Sequence, residues 1–292
     1  MKRIRDWFQE ISRIIIHYFT GLRIGFRYRE TFRKIHTYCI FIGYPGSGHS
    51  LIGSLLDAHP HAVIAHELDS LQYVMDGFSQ KEIFALLIKN SQQFTEVGRK
   101  WMGYEYAVPN QWNGRFSEVR VIGDKKGHGS TLKLKGGVEV LRRLRRTVKL
   151  PVKVIHVIRN PYDNITAIHF KSFRKPEQLP KSIDYYFSLC DTIQAVKQQI
   201  PQNDFFEMRH EDFVSDPKRH LKDLCLFLNI EPFEDYLNDC AGIVFKSPHE
   251  TRHTFEWQPA WIQEVARRMN VIPYLRGYEY ASCHRSLAGT KK

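Results

Sequence analysis

Apolar residues in this chain gather in short runs separated by glycine, proline and charge. The run Cys39–Ile42 reads as a buried strand. It enters the turn Gly43-Tyr-Pro-Gly-Ser-Gly-His-Ser50 and leaves through Leu51–Leu56, an apolar helical stretch closed by Asp57-Ala-His-Pro60. Ala62–Ala65, Val119–Ile122, Val152–Ile158 and Asp204–Met208 read as further strands, Val152–Ile158 most clearly by its alternation. Helical spacing covers Ser70–Asp76, Lys81–Lys89, Thr131–Val148, Ile183–Gln199 and Lys218–Leu228, with Ser130 placed to cap the third. There is no internal repeat and no linker. The expected organisation is an arm, residues 1–37, one domain, residues 38–281, and a disordered tail, residues 282–292.

Strand, glycine turn and helix together make an anion cradle. Gly43, Gly46 and Gly48 let the backbone take positive φ and approach a ligand closely. Successive N–H groups then point inward, and the following helix adds its positive end. The spacing is that of a Walker A loop, except that His49 stands where ATPases carry lysine. A neutral imidazole has neither the reach nor the charge of that lysine, so the turn suits a phosphate better than it suits ATP hydrolysis.

Composition adds little until charge is counted. The chain of 292 residues is 42% hydrophobic and 25% charged, as in ordinary globular proteins, with a formal charge of +12. Five scattered cysteines, with no metal-ligand spacing, read as reduced thiols. Residues 1–37 hold nine basic and three acidic residues, a net of +6, interleaved with apolar residues at helical spacing. Their longest uncharged run, Ile14–Leu22 apart from one basic-side histidine, is far short of the ~20 residues a spanning helix needs, and no signal peptide is visible. The arm therefore lies on an anionic membrane surface, or packs on the domain or in a homodimer. Arg142, Arg143, Arg145 and Arg146 form a solvated face; with no recognised nucleic-acid module, no nucleic-acid partner is expected.

The stretch Pro45-Gly-Ser-Gly-His-Ser-Leu51, followed by Leu55-Leu-Asp-Ala-His-Pro60 and Glu67, resembles the 5′-phosphosulfate loop of sulfotransferases that use PAPS (3′-phosphoadenosine 5′-phosphosulfate). It is closest to the bacterial and protein-tyrosine branches, with P-[RK]-S-G-T-[TS]-L. Four later stretches resemble the same family in the same order. Gly123-Asp-Lys125 follows a strand; Arg159-Asn-Pro-Tyr-Asp163 resembles the 3′-phosphate motif; Arg209-His-Glu-Asp-Phe213 through Pro217 resembles [RK]-Y-E-D-L; Lys246-Ser247 through Trp257 resembles a C-terminal K-S-R…W segment. The resemblance spans about Ile40–Tyr280.

It implies an α/β, P-loop-type three-layer fold with a central, mostly parallel sheet flanked by helices. It implies transfer of a sulfuryl group from PAPS, without a metal, to an acceptor hydroxyl on a glycan, lipid, peptide or small molecule. Gly46, Ser47, Gly48, His49 and Ser50 would cradle the 5′ end of the donor. Arg159 would bind the 3′-phosphate with its fork, and His210 would stack near adenine where the family commonly has tyrosine. Glu67 would take the acceptor proton. Lys125 would stabilise the leaving group, with Lys126 beside it and His128 as an alternative base. Lys246 and Arg252 are weaker candidates for donor phosphate contacts. The aromatic stretch Trp101–Tyr106, with Trp112, could line an acceptor cleft.

Two further residues depart from the family pattern. Its partner serine, eight residues past the arginine, is Ala167 here; Thr166 is one place early, a turn of about 100° on a helix. The loop cation of the family is Gly46 here, leaving that task to Lys125 or to a protonated His49. Three functions stay open on these residues: a sulfotransferase, a non-catalytic protein that binds PAPS or PAP (the 3′,5′-bisphosphate left after transfer), and a degenerate P-loop kinase using ATP. The expected location is cytoplasmic, peripheral at the inner membrane surface if the arm binds lipid.

Overall fold

The computed structural model describes residues 2–281, with the backbone only for residues 2–10 and 138. The expected disordered tail lies outside the described residues. An N-terminal helix α1 (Lys2–Arg27) and a short α2 (Arg29–Phe32) precede strand β1 (Thr37–Ile42). Then come α3 (His49–Asp57), β2 (Ala62–His66), α4 (Ser70–Met75) and α5 (Gln80–Glu96). A two-stranded antiparallel hairpin follows, β3 (Lys100–Trp101) and β4 (Tyr104–Glu105). Next are β5 (Val121–Lys125), α6 (His128–Leu134), α7 (Val138–Val148), β6 (Val152–Ile158) and α8 (Pro161–Ile168). The last part holds α9 (Leu179–Lys197), β7 (Phe205–Arg209), α10 (His210–Ser215), α11 (Pro217–Phe227), α12 (Glu234–Gly242) and α13 (Pro259–Asn270).

Five strands pair in parallel in the order β2-β5-β1-β6-β7. β1 is buried along its whole length, as its unbroken apolar sequence requires of a strand covered on both faces. Its residues alternate between two cores. Tyr38, Ile40 and Ile42 pack on one face of the sheet with Leu87 of α5, Leu144 of α7 and Ile193 of α9. Cys39 and Phe41 pack on the other with Ile52 and Leu55 of α3, Leu224 of α11 and Leu237 of α12. Helices on both faces of a parallel sheet give the three layers. The chain leaves β1 toward β2 and leaves β6 toward β7, on opposite sides. The carboxyl ends of β1 and β6 therefore flank a topological switch point, where open α/β sheets hold ligands.

The elements differ from the sequence reading in three places. Thr131–Val148 is two helices, because Gly136 and Gly137 interrupt an otherwise continuous apolar period, with Gly137 at φ +81°. Ser130 does not cap the first of them. That helix begins at His128 after Gly127, and Ser130 is buried inside it. β5 runs on through Gly123, Asp124 and Lys125, so Lys125 ends a strand instead of following one. Polar Asp124 and Lys125 hid this extension, yet both are buried. For the arm, the structure shows the packed alternative: α1 lies along α5, with Ile14 against the main core.

Candidate active site

The loop between β1 and α3 is pinned from two sides. The Gly43 N–H donates to Thr131 Oγ1 (2.8 Å), and that hydroxyl lies 3.0 Å from Gly43 O. Asn164 on α8 donates to Pro45 O (2.8 Å) and to Ser47 Oγ (3.2 Å), while Ser47 Oγ donates to Tyr44 O (3.1 Å). Gly46 and Gly48 hold φ of +79° and +87°, and the His210 ring lies so close over Gly48 that a Cβ there would meet it at 2.1 Å. His49 starts α3 with its Nε2 donating to Ile42 O at 3.0 Å. Burial, with Lys125 adding to it, pushes the His49 pKa down to about 3. His49 is thus a brace of the loop, held on Ile42 O, and its burial works against a protonated His49 acting as a phosphate cation.

The cation beside the loop is Lys125. Its side chain is 1% exposed and crosses Gly53 of α3, where an added Cβ would stand 2.7 Å from Lys125 Cγ. Its Nζ donates to Ser50 Oγ (2.9 Å) and to Glu67 Oε1 (2.7 Å). Lys126 pairs with the other carboxylate oxygen of Glu67 at 2.8 Å. Burial raises the Glu67 pKa, but the two lysines outweigh it and the net shift is downward. Burial lowers that of Lys125. Glu67 sits just past β2 with φ +62°, a strained conformation for a non-glycine residue. Asp124 holds the segment there by accepting from Leu68 N (3.2 Å) and Ser70 N (2.6 Å).

Arg159 directly follows the neighbouring strand, β6, and closes the other side. Its Nη1 donates to Gly46 O at 2.7 Å and its Nη2 to His249 O, while Asp163 Oδ2 lies 3.9 Å from its Nε. Three buried atoms around the loop have no hydrogen-bond partner: Arg159 Nε, Asn164 Oδ1 and His210 Nδ1. Unpaired buried polar atoms are rare and costly. Beside the backbone cradle, Arg159 Nε offers an unused donor to an anion, whereas Asn164 Oδ1 can only accept a hydrogen bond. The His210 pKa is lowered to about 3, first by burial and then by Arg159. A neutral ring over Gly48 suits stacking.

The structure thus brings together Gly46, Ser47, Gly48, His49, Ser50, Glu67, Lys125, Arg159 and His210. It does not bring in Thr166, which is fully buried with its hydroxyl accepting from Trp257 Nε1 (3.2 Å). Nor is Arg252 available: it is 2% exposed and pairs with Asp163 (2.8 Å) and Glu250 (2.9 Å). Lys246 is exposed. His128 shares a hydrogen with Tyr185 OH at 2.6 Å, and burial pushes its pKa down to about 4. The aromatic stretch is the β3–β4 hairpin beside the site. Trp101 lies 5.0 Å from the His66 ring, and Tyr104 meets Phe245 at 5.8 Å. Sequence reasoning missed Asn164, whose place one turn after Asn160-Pro161 was the available signal, and Asp124, which reads as a turn residue. Among the described residues no group of three His, Cys, Asp or Glu could hold a metal ion.

Residues 141–235 match the family described as the sulfotransferase family. The sulfotransferase domain of the olefin synthase of Synechococcus PCC 7002 superposes with a TM-score of 0.53 at 14% identity, covering 82% of this chain and 96% of that one. The sulfotransferase domain of the curacin biosynthetic pathway gives a TM-score of 0.50 at 15% identity, covering 82% and 98%. No curated protein sequence matches the chain.

Proposed function

We propose that this chain, which resembles sulfotransferases in a partial family match and in its fold, moves a sulfuryl group from PAPS to an acceptor hydroxyl by in-line attack. The observation that carries the proposal is the buried Lys125 ammonium, held between Ser50 of the loop and Glu67. One cation there serves both halves of the reaction. It faces the loop that would hold the leaving phosphate, and it keeps the Glu67 carboxylate ionised and ready for the acceptor proton.

The 5′ end of the donor lies over Gly46–Ser50 and its 3′-phosphate against Arg159, whose Nε has no hydrogen-bond partner while Nη1 and Nη2 donate to Gly46 O and His249 O. His210 stands beside the base. As the acceptor oxygen attacks sulfur, its proton passes to Glu67 and the bond from sulfur to the bridging oxygen breaks. The negative charge then grows on the 5′-phosphate of PAP. Lys125 and the loop N–H groups stabilise that charge, and positioning supplies much of the rate. Hydroxyl-bearing compounds are the acceptor class. The test is transfer from labelled PAPS to a panel of such acceptors. Wild type transfers label, and Glu67→Gln binds PAP but does not transfer; unchanged transfer by Glu67→Gln overturns the role of Glu67.

A non-catalytic PAP-binding protein is the second reading. It draws support from Gly46, which offers no side-chain cation in the loop. PAP binding without transfer to any acceptor would favour it. The kinase reading is disfavoured by His49, a buried imidazole tied to Ile42 O where a Walker loop carries lysine.

A further inference from the structure

The seat of α1 on α5 decides which side of α1 faces outward. Gly21 and Gly25 are buried at the contact: a Cβ on Gly21 would stand 3.0 Å from Glu82 Cβ, and one on Gly25 3.5 Å from Lys81 O. Glycine is a poor residue inside a helix, but here it lets the two backbones close. The same side is fixed by polar contacts. Arg13 donates to Tyr73 OH at 3.0 Å and pairs with Asp76 at 3.5 Å, and His17 Nδ1 lies 2.5 Å from the same hydroxyl.

At about 100° per residue, the side opposite Gly21 and Gly25 carries large apolar residues. Ile15, Ile16, Phe19, Leu22 and Phe26 are 49%, 61%, 65%, 46% and 82% exposed. Exposed apolar residues scattered singly are ordinary, but a continuous stripe marks an interaction surface. Arg23 and Arg27 stand on the same side and are exposed, and residues 11–29 contain no Asp or Glu. Arg33 and Lys34, farther along, are exposed too but pair with Glu30 and Glu118, each at 2.6 Å. No described helix is long and apolar enough to cross a membrane.

We propose that the outward face of α1 docks on an anionic phospholipid bilayer. The apolar stripe enters the acyl boundary, and Arg23 and Arg27 meet lipid phosphates. The helix lies in the plane of the interface, where its glycine seat holds it against the domain. A second copy of the chain suits this face less well. It would set the same arginines near one another, with no carboxylate on residues 11–29 to pair them. The inference does not depend on the transfer reaction.

The test is sedimentation of the full-length protein with vesicles of phosphatidylcholine alone or mixed with phosphatidylglycerol. Wild type binds the mixed vesicles at least about 10-fold more strongly than the neutral ones, and salt weakens the difference. Phe19→Ser with Phe26→Ser lowers partitioning about 10²-fold. Arg23→Gln with Arg27→Gln lowers it about 10-fold on mixed vesicles and leaves neutral vesicles unaffected. All four positions are exposed, so the fold persists. The inference is overturned if wild type ignores mixed vesicles, or if both double variants bind like wild type. It is also overturned by a concentration-dependent dimer that the phenylalanine pair abolishes, which would assign the face to a second copy.

Discussion

Gly46 and Ala167 face each other across the loop: a Cβ on Gly46 would stand 3.0 Å from the Cβ of Ala167. These are two of the positions at which the chain departs from the sulfotransferase pattern, a loop cation and a helix serine, so these two departures meet in space. The Gly46 carbonyl is meanwhile taken by Arg159 Nη1. The absent loop cation is therefore not a simple vacancy. Gly46→Lys forces a side chain against α8 at φ +79°, a conformation that costs an L-residue about 1–2 kcal/mol. The expected outcome is lower stability in urea and no gain in kcat/KM. A rise in kcat would show that the space is open and that Lys125 does not fill the role.

Lys125 reaches the loop only because Gly53 lies beneath its stem. Gly53→Ala places a methyl 2.7 Å from Lys125 Cγ and displaces the ammonium. Small misplacements of a catalytic group can cost about 10²-fold, so kcat falls by about that factor with little change in PAP affinity. Lys125→Met lowers it by about 10²–10³-fold. Wild-type rates in both variants would remove Lys125 from the mechanism.

With Glu67 as the proposed base, the acid side of the pH–rate profile is expected to follow its carboxylate. Burial raises its pKa, while Lys125 and Lys126 outweigh burial and depress it. Activity that needs the carboxylate is present above the depressed pKa and is lost as pH falls through it. In Lys126→Met one of the two opposing cations is gone, so the acid limb of kcat/KM moves to higher pH. A limb that stays in place would mean that another group carries the base role.

Away from the site, Asp57 and Arg99 form an ion pair at 2.9 Å with side chains 0% and 2% exposed. Asp57 also accepts from Ile64 N (2.7 Å) and Ser91 Oγ (2.7 Å to Oδ2). Arg99→Met leaves a buried carboxylate without its cation and costs about 3–5 kcal/mol. Urea unfolding measures this. A cost below about 1 kcal/mol would show that Asp57 is held by its neutral donors alone.

Much of the sheet was legible in the sequence, since Cys39–Ile42 of β1 is an unbroken apolar run and β6 alternates Val and Ile with a little polarity. The cradle was legible too, because glycine at three spaced positions has few other uses. What stayed hidden was decided by contacts distant in sequence. Lys125 reads as a turn residue until β2 and α3 bury it. Thr166 looks like a replacement for Ala167 until Trp257, far along the chain, takes its hydroxyl. The apolar residues of α1 form one helical pattern in sequence, yet α5 divides them into a seated side and an outward side. Pattern gives an element and its period, but not which polar groups tertiary packing will pair.

The central claim is a donor site built for a 3′-phosphorylated nucleotide, and titration calorimetry tests it most directly. The purified protein is titrated with PAP, with AMP, which lacks the 3′-phosphate, and with Mg·ATP. Hydrogen bonds to charged groups contribute about 1.5–3 kcal/mol, so PAP binds at least about 10-fold more tightly than AMP, and Arg159→Lys narrows that gap. Preference for Mg·ATP, or equal affinity for PAP and AMP, would contradict the account.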